Sequence, residues 1–112
     1  MADRLNLIKQ VGEEIVTEEE LKEILETGTQ LVAYDGFEPS GRIHIAQGLM
    51  RAININKMTD AGINFKMLVA DWHAWANNKM GGDLAKIQDV GKYLIEVWKA
   101  CGLDTSKVEF HW

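Results

Sequence analysis

Apolar residues along this chain fall in blocks whose spacing changes from one segment to the next. Residues 1–16 are largely polar, interrupted by Val11-Gly12 and Ile15-Val16, and read as a short helix with a loop. Thr17 with Glu20 has the spacing of a capping box, which predicts a helix start. Leu21, Ile24 and Leu25 would form its apolar face, and Gly28 is a natural stop. Leu31-Val32-Ala33-Tyr34 has strand length and ends at Gly36 and Pro39. From Ile43 to Asp60, the residues Ile45, Leu49, Ala52, Ile53 and Met58 recur at roughly helical spacing, with Ala61-Gly62 as the exit. Phe65 to Ala70 is a second run of strand length. Its nearly continuous apolarity suggests a strand covered on both faces, as in a parallel sheet. Asp83 then reads as an N-cap. Leu84, Ile87, Val90, Gly91, Leu94, Val97, Trp98 and Cys101 keep a helical stripe that Gly102 ends. Val108 to Trp112 alternates as a third strand.

The order after the N-terminal helices is strand, helix, strand, helix, strand. Parallel strands with right-handed helical crossovers satisfy that order most simply. The expected fold class is therefore α/β: a Rossmann-like, parallel βαβαβ half-domain preceded by N-terminal helices. Residues 1–30 would form the helical segment and 31–112 the nucleotide-binding half. Ligands in such sheets sit beyond the C-terminal strand ends. Two polar, glycine- or histidine-bearing stretches, 34–47 and 70–79, fall there.

Composition narrows the classes. The 112 residues suffice for one small domain with a core. A net charge of −5 argues against this piece gripping nucleic acid by itself, because phosphate contacts need a basic surface. No apolar run approaches the ~20 residues of a membrane span. The first residues lack the apolar core of a signal peptide. One cysteine, Cys101, excludes an internal disulfide and fits a reducing compartment, so a cytoplasmic location is expected. Its spacing to the three histidines is not that of a metal site, and no metal ligands are expected. Met50, Met58, Met67 and Met80 read as core filler, Trp72 and Trp75 as packing residues, and Glu18 to Glu23 as a solvated helix face. Asp71 could cap a turn or meet a ligand. His111 has no visible partner.

The first polar stretch is Tyr34-Asp35-Gly36-Phe37-Glu38-Pro39-Ser40-Gly41-Arg42-Ile43-His44-Ile45-Ala46-Gln47-Gly48. Gly36 and Gly41 allow a tight turn close to a ligand, and Pro39 stiffens it. His44 lies near a helix start, where backbone N–H groups and the helix dipole favour anions. His44 alone would be unremarkable in such a corner; the whole string is specific. It has neither a dehydrogenase glycine spacing nor the ending of a P-loop.

The string resembles the first ATP-binding signature of class I aminoacyl-tRNA synthetases, in the spelling of the archaeal and eukaryotic tyrosyl-tRNA synthetases. The resemblance covers roughly residues 31–103. It implies ATP binding by Gly36, Phe37, Glu38, Pro39, Gly41, His44, Ala46 and Gln47, with His44 and Gln47 in catalytic positions. Ala70-Asp71-Trp72-His73-Ala74 continues it. The implied tyrosine-binding residues are Tyr34, Gly36, Leu68, Ala70 and His73, with Tyr34 meeting the substrate phenol. The usual signature reads His, apolar, Gly, His; here it reads His44-Ile45-Ala46-Gln47. Gln47 can donate a hydrogen bond but cannot carry charge.

The family forms tyrosyl-adenylate from tyrosine and ATP, with Mg2+ travelling on the nucleotide, and passes tyrosyl to tRNA(Tyr). By this resemblance the chain holds the first half of the catalytic domain. The ammonium-binding residues, the lysine-rich pyrophosphate loop, the homodimer interface and the tRNA-binding regions are expected elsewhere, and the end at Trp112 reads as a cut. Alone, the chain would be inactive or vestigial. Two alternatives stay open: a non-catalytic module that self-associates through unpaired sheet edges, and another class I ligase such as a tryptophanyl-tRNA synthetase.

Overall fold

A computed structural model describes residues 2–112. Helix α1 spans Ala2–Lys9 and α2 spans Glu18–Glu26. The Thr17 hydroxyl accepts the Glu20 N–H at 3.2 Å, which fixes the start of α2 as the capping residues predict. Thr27 closes the helix and Gly28 follows with φ +69°. Of the expected apolar face, Leu25 is buried but Ile24 is 45% exposed. Leu25 joins Ile8, Ala61 and Ile63 in a small cluster that seats both helices on the lower end of the sheet layer.

Strands β1 (Val32–Phe37), β2 (Asn64–Val69) and β3 (Val108–His111) form one parallel sheet in the order β1-β2-β3. The expected topology is therefore present. Helix α3 (Arg51–Asp60) connects β1 to β2, and α5 (Leu84–Ala100) runs between β2 and β3. Asp83 caps α5 by accepting the Lys86 N–H at 3.1 Å, and Gly102 follows it at φ +91°. The main core consists of Ala52, Ile55, Phe65, Met67, Leu94, Trp98, Leu103 and Val108, all between the sheet and these two helices. Gly91 matters in this packing. A Cβ there would lie 2.9 Å from Val69 Cγ1 and from the Trp112 ring, so only glycine lets α5 approach β2 so closely.

Three expectations need correction. The apolarity of β2 does not mean cover on both faces. Phe65, Met67 and Val69 are buried, whereas Asn64 and Leu68 are exposed and Lys66 is half-buried. Leu68 extends the apolar run on the face that the helices do not cover. The helix expected from Ile43 begins at Ile45 and opens with a π-turn over Ala46–Met50. The extra residue in that turn rotates the apolar face. Gly48, Ala52, Ile55 and Thr59 are buried, while Ile45, Leu49 and Ile53 are exposed. The stretch after β2 holds a further short helix, α4 (Asp71–Ala76), that periodicity alone does not reveal.

Among the presumed packing residues, Trp72 and Trp75 are 60% and 48% exposed and meet each other edge-to-face at 5.8 Å. Met67 is core filler, but Met50 and Met80 are exposed. His111 does have a partner, Glu109 Oε2 at 3.2 Å.

Candidate functional site

The chain leaves β1 at Phe37 and re-enters helix at Ile45, so residues 38–44 form a loop above the C-terminal strand ends. Pro39 is fully buried and pins the loop to the body of the protein. Gly41 has φ +143°, a backbone conformation that side chains beyond glycine rarely adopt. The loop therefore depends on glycine at this point.

His44 is exposed immediately before the helix start at Ile45. Its carbonyl accepts the Gly48 N–H at 3.0 Å, so His44 takes the place of a helix N-cap. Three residues on, the Gln47 side chain reaches back, and its Oε1 accepts the His44 backbone N–H at 3.3 Å. That is the returning half of a capping box, for which glutamine is well suited. Gln47 thus closes the helix start in addition to any contact it offers a ligand.

A cavity of about 180 Å³ opens beneath the loop. Glu38, Gly41, His44, Gln47, Arg51 and Trp98 contribute to its walls. Arg51 pairs with Asp35 at 3.2 Å and lies 5.9 Å from the ring centroids of both Phe37 and Trp98. These contacts hold a guanidinium beside the histidine. Arg51 follows His44 by seven residues, two helical turns, and that spacing is the sequence signal that could have singled it out.

The second polar stretch lies on α4 and the end of β2. Ala70, His73 and Leu68 line a cavity of about 250 Å³ with Gly36, Phe37 and Glu38. Tyr34 lies two residues before Gly36 on the same open face and is 85% exposed. It lines a separate cavity of about 390 Å³ at the outer edge of β1, together with Asp35, Ala46, Met50 and Arg51. The structure therefore gathers Gly36, Leu68, Ala70 and His73 in one place and His44, Gln47 and Gly41 in another. Phe37 and Glu38 belong to both. Tyr34 and Ala46 stand beside that pair of cavities.

One cross-link joins the stretches, and a second ties the later stretch to α5. Asn77, just past α4, donates its amide to Glu38 Oε1. Asp71 is 3% exposed; its Oδ1 accepts the Trp72 N–H at 3.0 Å and its Oδ2 accepts from Gln88 Nε2 at 3.0 Å. Asp71 therefore serves as a local cap and a tie to α5, not as an open ligand. The polar contacts of Asn77, Gln88 and Trp98 are not foreseen from the sequence, because they are tertiary contacts that no spacing rule encodes. Among the described residues, no group of three His, Cys, Asp or Glu side chains is placed to hold a metal ion. Among the described residues, no helix is long and apolar enough to cross a membrane.

Comparison with known proteins finds relatives over nearly the whole chain. The family described as tRNA synthetases class I (W and Y) matches residues 26–112. Tyrosine–tRNA ligase 1, cytoplasmic, of Arabidopsis thaliana is 57% identical over 109 residues, covering 97% of this chain and 28% of that protein. The tyrosyl-tRNA synthetase of Leishmania major in complex with tyrosinol superposes with a TM-score of 0.95 at 54% identity, over 99% of this chain and 21% of that one. The Pyrococcus horikoshii tyrosyl-tRNA synthetase complexed with L-tyrosine gives 0.85 at 41% identity, over 97% and 31%. The chain thus spans less than a third of the length of each of these relatives. The fold, the two motif-bearing strand ends and the match over residues 26–112 establish that this chain belongs to the class I tRNA synthetases of the tryptophan and tyrosine group.

Proposed function

We propose that this chain is the N-terminal part of a tyrosine–tRNA ligase, with residues 31–112 as the first half of its catalytic domain and residues 1–30 as a helical lead-in. The observation that carries the reading is the shared wall of two adjoining cavities. Phe37 and Glu38 border both the Gly36–Leu68–Ala70–His73 cavity and the His44–Gln47 cavity. An amino acid in the first would present its carboxylate toward a nucleotide in the second.

The reaction follows from that placement. A tyrosine carboxylate oxygen attacks the α-phosphorus of ATP, the new O–P bond forms, and the α–β bridging bond breaks to release pyrophosphate. His44 donates to phosphate oxygens whose charge redistributes in the transition state, and the Arg51 guanidinium adds fixed positive charge nearby. Loop and helix start supply position, which is the larger part of such catalysis. Tyr34 meets the substrate phenol; a site built for a hydroxyl leaves its own group unpaired when phenylalanine enters. Magnesium is part of the nucleotide substrate, carried by its phosphates. The activity belongs to a longer polypeptide that also binds tRNA(Tyr), forms a homodimer and works in the cytoplasm. The tyrosine relatives, not a tryptophan enzyme, support the choice of amino acid.

The test is ATP-dependent pyrophosphate exchange in the longest polypeptide carrying this sequence. Exchange is expected with tyrosine and not with tryptophan. His44→Ala should slow it about tenfold or more, as expected for loss of a transition-state donor. Exchange driven by tryptophan alone would overturn the substrate, and an unchanged rate in the variant would remove His44 from the chemistry.

A further inference from the structure

Loop residues 38–44 run from Phe37, the last residue of β1, to the helix start that contains the π-turn and Gln47, and one side chain touches both Phe37 and Gln47. Trp98 of α5 is fully buried in the main core. Its ring meets Phe37 edge-to-face at a centroid distance of 4.5 Å. Its indole Nε1–H donates to the backbone carbonyl of Gln47 at 2.8 Å. That carbonyl lies inside the π-turn, the first turn after His44. A buried indole N–H needs an acceptor, and it has one donor to give. The position of the Trp98 ring therefore fixes the Gln47 carbonyl, and with it the turn.

The same residue that Trp98 holds by its main chain holds His44 by its side chain, through the Gln47 Oε1 bond to the His44 N–H. Trp98 also lines the cavity beside His44. The chain of contacts runs from the core of α5 through Gln47 to the backbone of the histidine. No ligand is needed to set it.

We propose that Trp98 is a positioning residue of the nucleotide site. It spans the loop from below, setting Phe37 at one end and the π-turn at the other, so that the His44 donors stand in place before ATP arrives. The inference rests on the proposed ligase activity. Trp98 does not itself border the Leu68–Ala70–His73 cavity; its tie to that side is the Phe37 ring contact, which a phenylalanine at position 98 keeps.

The test is Trp98→Phe in the longest polypeptide carrying this sequence, which keeps an aromatic ring against Phe37 and removes the N–H. The expected result is a fall of about tenfold in kcat/KM for ATP in pyrophosphate exchange, on the order of one lost hydrogen bond, with KM for tyrosine within about twofold. Ile87→Val, a change in the same buried helix away from the loop, should lower Tm while leaving the ratio of the two substrate constants alone. Equal losses toward ATP and tyrosine in Trp98→Phe would overturn the inference and leave the ligase reading standing. Absence of exchange in the unsubstituted polypeptide would sink that reading and the inference with it. If Trp98→Phe does not fold, nitrogen-15 spectra of the unsubstituted protein decide. The Trp98 indole N–H resonance should move when ATP is added and stay when tyrosine is added; a resonance indifferent to ATP would count as refutation.

Discussion

The two faces of the sheet are made by the same three strands and do opposite work. One face carries Ala33, Phe37, Phe65, Met67, Val69, Val108 and Phe110 and is covered by α3 and α5. The other carries Val32, Tyr34, Gly36, Lys66, Leu68, Glu109 and His111 and lies open. On the open face, Lys66 and Glu109 sit opposite each other in register, with Nζ 3.7 Å from Oε2. Strand alternation alone produces the division, since neighbouring side chains point to opposite faces. Met67 and Leu68 are adjacent in sequence, yet one has no exposed surface and the other keeps 42%. The covered face holds the strands together. The open face, with its rim of Tyr34, Gly36, Leu68 and His73, is free to be chosen for a ligand.

Truncating Met67 and Leu68 in turn should separate the two faces most clearly. Met67→Ala removes a side chain enclosed between the sheet and both helices and should cost about 2–5 kcal/mol in urea unfolding. Leu68→Ala should cost less than about 1 kcal/mol, because less of its surface leaves water on folding. Similar losses at both positions would mean that the open face is not open in solution.

A gentler probe separates chemistry from stability. Tyr34 is exposed and makes no hydrogen bond with its hydroxyl among the described residues, so Tyr34→Phe should leave stability within about 0.5 kcal/mol. In the longer polypeptide it should still raise the KM for tyrosine and narrow the preference for tyrosine over phenylalanine, by about tenfold or more. A preference that survives the substitution would move phenol recognition to residues beyond this chain.

The contrast between the faces was only half legible in the sequence. Strand order, parallel pairing, the caps at Thr17 and Asp83 and the loop around Gly41 follow from local chemistry. So does the placement of both motifs at the C-terminal strand ends. The open face did not follow, because Phe65 to Ala70 spells an almost unbroken apolar run. Leu68 is apolar yet borders an open cavity, and a pattern rule takes its apolarity for burial. The π-turn was illegible for another reason. It arises where Gln47 is held from outside by Trp98 and from within by His44, and neither bond leaves a mark in the spacing of apolar residues. Trp98 itself reads as one more member of the α5 stripe. Its polar atom gives it a second task, visible only once α5 is laid across the sheet.

A weaker electrostatic contribution lies outside both faces, in the N-terminal helices. Glu18 at the start of α2 sits 3.0 Å from Lys9 Nζ and 2.9 Å from Lys22 Nζ. The hydrogen bond from Lys22 and then that from Lys9 hold its carboxyl below the ordinary carboxylate range, against a weaker opposing effect of burial. A carboxyl depressed in the folded state stabilises at pH values above its unfolded pKa. That contribution is lost as pH falls through the lowered folded value. Glu18→Gln should therefore lower Tm slightly at neutral pH, and the difference should vanish below the carboxylate range. It should also shrink in high salt, since the pair is at the surface. The loss of Tm in Met67→Ala rests on apolar burial, so its dependence on pH and salt should be far weaker. Equal pH dependence in the two variants would mean that the helical lead-in and the covered face share their stabilisation, and the division by sheet face would then be too simple.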